Sequence, residues 1–117
     1  MKSLVVAAVV ISLGALVFAQ SHNQFWGFKG PYDTLLNRTI AVKSSSILQV
    51  KTLDLTYPVK GQLGRNITAI YAYDQITNGK GGYATLLSGG VGFNHTKIHL
   101  KSQRGNEFNF IVEIYGR

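Results

Sequence analysis

The side chains that could do chemistry are few and mostly isolated. His95 and His99 stand four residues apart, with Lys97 between them, and His22 lies far upstream. On a helix that spacing would let the pair share a metal ion. On a strand they point the same way but sit about 13 Å apart at roughly 3.3 Å per residue, which is no chelate. Six glycines between Gly79 and Gly92 suggest a phosphate loop, but the flanking residues do not fit one. The Gly79-Lys80 pair would need a glycine at 74 and a hydroxyl residue at 81, where Asp74 and Gly81 stand. A dinucleotide fingerprint starting at Gly79 would need glycine at 84, which is Ala84. Cysteine is absent, and neither Ser88 nor Ser102 sits in a nucleophile elbow. The five acids are scattered without a local carboxylate pair. The expectation is a protein that is not an enzyme, with no catalytic residue, no cofactor and no metal.

Two patterns remain. Asn37-Arg38-Thr39, Asn66-Ile67-Thr68 and Asn94-His95-Thr96 are N-glycan acceptor tripeptides. Asn37 and Asn66 are expected where loops meet strands. Asn94 is awkward, because strict alternation from Ile98 and Leu100 turns it toward the core; either Gly92 introduces a bulge or the site is unused. The same alternation from Phe93 to Gln103 gathers His95, Lys97, His99, Lys101 and Gln103 on one face, with Arg104 at its end. The charge of such a column grows below pH ~6.5 as histidines protonate. It is the candidate face for an anionic ligand, although a solvated strand face gives the same pattern.

Glycans require an export route, and the first twenty residues read as one. Lys2 supplies a positive start, Leu4 to Phe18 are apolar apart from Ser12 and Gly14, and Val17 and Ala19 are small residues two apart. That is the order of a secretory signal cleaved between Ala19 and Gln20. The apolar run is shorter than the roughly 20 residues of a membrane span, so no span is expected. Residues 1–19 are read as signal peptide and 20–117 as one secreted β domain. Removing the leader from 117 residues leaves 98, with 11 basic and five acidic side chains, a formal charge of +6. Without cysteine the domain must rest on a continuous apolar core. Its cations are spread singly, as on a solvated surface. The charge balance favours anionic partners such as glycans, lipid head groups or nucleic acid, while the dispersal fits solubility better than a dedicated patch. With no clustered basic import run, nucleic acid is not expected, and an anionic glycan or lipid surface is the candidate partner.

The elements that position these residues are short strands. Ser21 to Asp33 carries Phe25, Trp26, Phe28 and Tyr32 without a period and reads as an arm or irregular first strand, with Trp26 as packing anchor; an exposed aromatic recognition site is the alternative. Strands are expected from Thr39 through Val42, Ile47 to Tyr57 with a parity switch near Lys51-Thr52, Ile67 to Tyr73, Tyr83 to Leu87, Val91 to Leu100 and Phe108 to Tyr115. Asn78-Gly79 is the strongest hairpin-type turn signal. No 3.6-residue stripe appears after the leader. The fold class is therefore all-β, a small antiparallel sandwich or flattened barrel of six or seven strands. The expected core is Ile40, Val42, Leu48, Val50, Ile67, Ala69, Leu86, Ile98, Leu100, Phe108, Phe110, Val112 and Ile114, with the Ile70 face of its strand as the other choice.

Several segments of the second half carry a resemblance: Asn66-Ile67-Thr68, Asp74-Gln75, Thr77 to Tyr83, Ser88 to Gly92, Lys101 to Gly105 and Phe110 to Gly116. Together they resemble the insect multiprotein bridging factor two family, closely over about residues 66–117 and loosely before. The resemblance implies a transcription co-activator by the family name, and a salivary or venom-type secreted protein by its probable salivary secreted peptide members. It brings no catalytic residue with it. With the leader and the glycan sequons, the expected function is a secreted salivary or venom-type insect protein that acts by binding; the alternative is the co-activator.

Overall fold

A computed structural model describes residues 21–117; the leader and the cleavage pair Ala19 and Gln20 lie outside the described residues. Seven strands are described: β1 (Gln24–Gly27), β2 (Thr34–Lys43), β3 (Thr52–Tyr57), β4 (Ile67–Asp74), β5 (Tyr83–Gly89), β6 (Thr96–Lys101) and β7 (Phe108–Gly116). They form two antiparallel sheets, β1-β4-β7-β2 and β3-β6-β5, so the expected all-β sandwich is found.

The sheets meet through the residues whose alternation is cleanest. Phe108, Phe110, Val112 and Ile114 of β7 face inward, as do Ile98 and Leu100 of β6. Trp26, Leu53, Leu55, Ala84 and Leu86 are partly buried against this cluster. Leu86 thus belongs to the core margin and not its centre. On β4 the choice between faces disappears, because Ile67, Ala69, Ile70 and Ala72 are all buried. The register shift between Ile67 and Ala69 lets Ile67 and Ile70 share the inner side.

Three expected core positions are wrong. Ile40 and Val42 point outward, Ile40 at 61% exposure, while Ala41 between them is buried at 2%. The cause is the register with β7: Ala41 lies opposite inward Phe110, and Ile40 opposite outward Ile111. Leu48 is 74% exposed, in a turn with φ 61°. The expected strand from Ile47 begins only at Thr52, because the chain first has to cross from one sheet to the other. Val50 sits half-buried in that crossing. The 44–51 segment is held by Ser102, whose Oγ accepts from Lys51 N–H at 2.7 Å and whose N–H donates to Lys51 carbonyl at 2.8 Å.

Asn78-Gly79 also joins different sheets, carrying β4 into β5, so it is a crossing and not a hairpin. The segment before β1 is anchored to β4. Asp74 Oδ2 accepts from the His22 N–H at 2.9 Å, Asn23 Oδ1 accepts from the Asp74 N–H at 2.7 Å, and the His22 ring stacks on Tyr83 at 4.6 Å.

Candidate binding faces

β6 is a central strand whose Thr96, Ile98 and Leu100 are committed to the core, so Lys97, His99 and Lys101 emerge together on the opposite side. The remaining members of the sequence-derived column do not join them. His95 precedes the strand and lies in the turn after β5. Gln103 turns away: its Nε2 donates to the carbonyls of Gly79 at 2.9 Å and Gly81 at 3.1 Å. Arg104 spends a guanidinium N–H on the Leu48 carbonyl at 2.7 Å. Alternation carried from Phe93 to Gln103 does not reveal these diversions, because β6 is six residues long.

The column also has a counter-charge that its own strand could not reveal. Asp54 on β3 lies directly opposite His99. Its Oδ1 accepts from His99 Nδ1 at 2.6 Å, and its Oδ2 lies 3.9 Å from Lys97 Nζ. The outer face of β3-β6-β5 is thus two lysines and a histidine around one carboxylate, bordered by Thr52, Thr56 and Thr85. Lys101 forms no ion pair among the described residues. Such a face can hold an anion weakly. Among the described residues no group of three metal-ligating side chains gathers.

The outer face of the other sheet is aromatic and aliphatic. Phe25 of β1 meets Tyr71 at 5.5 Å and Tyr73 at 5.6 Å, and Tyr71 meets Tyr115 of β7 at 5.6 Å. Ile40 pairs across to Ile111, and Ile111 to Tyr73. Arg38 of the edge strand β2 and Glu113 of β7 form an ion pair at 3.6 Å, and Lys29 Nζ lies 5.6 Å from the Tyr115 ring centre. Glu113 also accepts from Tyr115 Oη; burial first, then this carboxylate, holds the phenol above its ordinary pKa. Phe25, Gly27, Phe28, Tyr71 and Tyr73 enclose a shallow groove of about 310 Å³. The signal for this face was present in the sequence as apolar residues on both parities of β4 and β7.

The loop from β1 to β2 presents Phe28 at 85% and Tyr32 at 84% exposure. Asp33 fixes it. Its Oδ2 accepts from the Gly30 N–H at 2.6 Å and the Thr68 hydroxyl at 2.7 Å, and its Oδ1 lies 3.5 Å from Arg117 Nε. The Gly30 and Thr68 bonds, with the positive charges of Arg117 and Lys29, hold the Asp33 carboxyl below its ordinary pKa. A lowered value means stability is present above the unfolded pKa and lost as pH falls through the folded one. Melting temperature should therefore fall more steeply below pH ~4 in the parent than in Asp33→Asn, whose curve starts lower at pH 7 and converges with the parent in acid. Parallel curves would show that this carboxylate is not linked to folding.

Two of the three sequons, at Asn66 and Asn94, lie side by side, where the Ile67 N–H donates to the Phe93 carbonyl at 2.8 Å. Asn66 is exposed immediately before β4, and Asn94 is exposed in the turn before β6, where Asn94 faces no core because β6 starts at Thr96. Asn37 does not sit at a strand's end. It is half-buried within β2, beside the register shift between Leu35 and Asn37, and its Oδ1 accepts from the Thr39 hydroxyl at 3.2 Å.

Residues 26–116 match the family described as "Transcription activator MBF2". A "Probable salivary secreted peptide" from Bombus ignitus is 42% identical over 98 residues, spanning 84% of this chain and 72% of that protein. No solved structure matches. With a family model matching from Trp26 in β1 to Gly116 at the end of β7, the chain belongs to the MBF2 family.

Proposed function

We propose that this is a secreted salivary protein that works by non-covalent binding through a sheet face. The observation that carries the reading is the 42% identity to a protein named as a salivary secreted peptide, across 84% of this chain. The leader pattern of residues 1–19 and three exportable glycan sequons support it. The family description favours a second reading, a transcription co-activator, which requires a form that keeps its leader or never enters the export route. Expression of the full chain in insect cells separates the two. Secretion gives protein in the medium with its N-terminus at Gln20 and a mass that falls on endoglycosidase treatment. An intact Met1 in the cytosolic or nuclear fraction overturns secretion.

The finer part of the proposal is that Lys97, His99 and Lys101 provide an anionic-ligand face. Exposed charge–charge contacts are screened by salt. Retention on heparin or on phosphatidylserine vesicles should weaken as salt rises. Lys97→Glu with Lys101→Glu should remove most of this retention while leaving the far-UV spectrum unchanged. Equal retention of the parent and the double variant at low salt would exclude this face.

A further inference from the structure

A sheet face left to solvent usually alternates polar-out against apolar-in. In the β1-β4-β7-β2 sheet both faces are apolar, and on β2 the order is inverted: Ala41 is buried while Ile40 and Val42 stand outside. No described element covers them. Isolated exposed hydrophobes are ordinary, but a contiguous sheet of them marks an interaction surface.

We propose that this outer face packs against the same face of a second copy, giving a two-fold symmetric dimer. The charge pattern favours a copy of itself. Where the edge strand β2 meets β7, Arg38 and Glu113 already neutralise each other at 3.6 Å, and under a two-fold axis each can be offered the opposite charge of the partner. The other sheet carries Lys97 and Lys101 outward, so like faces there repel, and it is also the side that would draw an anionic surface. The area is adequate. Strands of four, eight, nine and ten residues, at about 3.3 Å per residue and about 4.8 Å apart, give a footprint of roughly 490 Å². Side chains that project as Phe25 and Ile40 do, each more than half exposed, raise the accessible area toward the ~800 Å² per partner of a stable interface. The sequons leave the face open. Asn37 lies opposite inward Ile114, Asn66 lies beyond the end of β4, and Asn94 belongs to the turn between strands of the other sheet.

The experiment uses the secreted chain with its glycans, weighed by sedimentation velocity between about 1 and 100 µM. The parent is expected at dimer mass over the upper part of that range. Ile40→Lys and, separately, Val42→Lys place a cation beside Arg38 or at the apolar rim without entering the core. Each should weaken association at least ~30-fold, as loss of a strong interface residue does, with melting temperature and far-UV spectrum unchanged. Leu87→Lys, exposed on the other sheet, should leave the dimer mass unaltered. Monomer mass for the parent at 100 µM overturns the proposal, whether or not the monomer binds lipid vesicles through this face. So does dimer mass retained by both lysine variants, or lost only in Leu87→Lys.

Discussion

Phe110→Ala is expected to cost about 3–5 kcal/mol of unfolding free energy, enough to leave much of the protein unfolded at 37 °C. Phe110 is completely buried on β7, opposite Ala41 on one side and Asp74 on the other, and it packs against Phe108 at 6.2 Å between ring centres. The opposing residue Ala41 is too small to fill the void, so the cavity term stays nearly whole. No disulfide constrains the unfolded chain, since cysteine is absent. Urea denaturation followed by tryptophan fluorescence measures the loss directly, because Trp26 packs on the same cluster. A loss below about 1 kcal/mol would mean that the two sheets do not close over Phe110 as described.

Gly89→Ala should be nearly as severe for a different reason. Gly89 ends β5 with φ +64°, and a Cβ there would lie 2.0 Å from the His95 carbonyl oxygen. The left-handed backbone costs an alanine about 1–2 kcal/mol. Relieving the clash requires the β5–β6 hairpin to open, since Gly90 N–H donates to that same carbonyl at 2.9 Å. The combined loss should reach about 3 kcal/mol. Gly61→Ala is the control: its φ is +87°, but a Cβ meets nothing within 4 Å. Gly61→Ala should therefore show the backbone penalty alone, near 1–2 kcal/mol. Equal losses for the two variants would remove the steric argument at Gly89.

The binding faces were legible in unequal measure. Lys97, His99 and Lys101 follow from their own alternation against Ile98 and Leu100, a local fact of one strand. Asp54 is 45 residues from His99, and nothing in its neighbourhood announces that it will stand opposite. The aromatic face was half visible. Phe25 and Phe28 stand out as aromatics, with an exposed site as the alternative to burial, yet the alternation of Ile40 and Val42 with Ala41 and Lys43 points the larger pair inward. The diversion of Gln103 and Arg104 was invisible, since it depends on the carbonyls of two crossing loops.

Strand class, the inward faces of β6 and β7, the glycine-rich turns and the family are all legible along the chain. Each rests on local information: a period of two, a turn residue or a motif. Which strands are neighbours, that Ala41 goes in while Ile40 and Val42 go out, and that an acid interrupts the cationic column are matters of long-range pairing. Alternation divides a strand into two faces but does not say which is covered when both are apolar. That choice is made by register with a partner far along the chain: on β2 by Ile40 facing Ile111 and Ala41 facing Phe110.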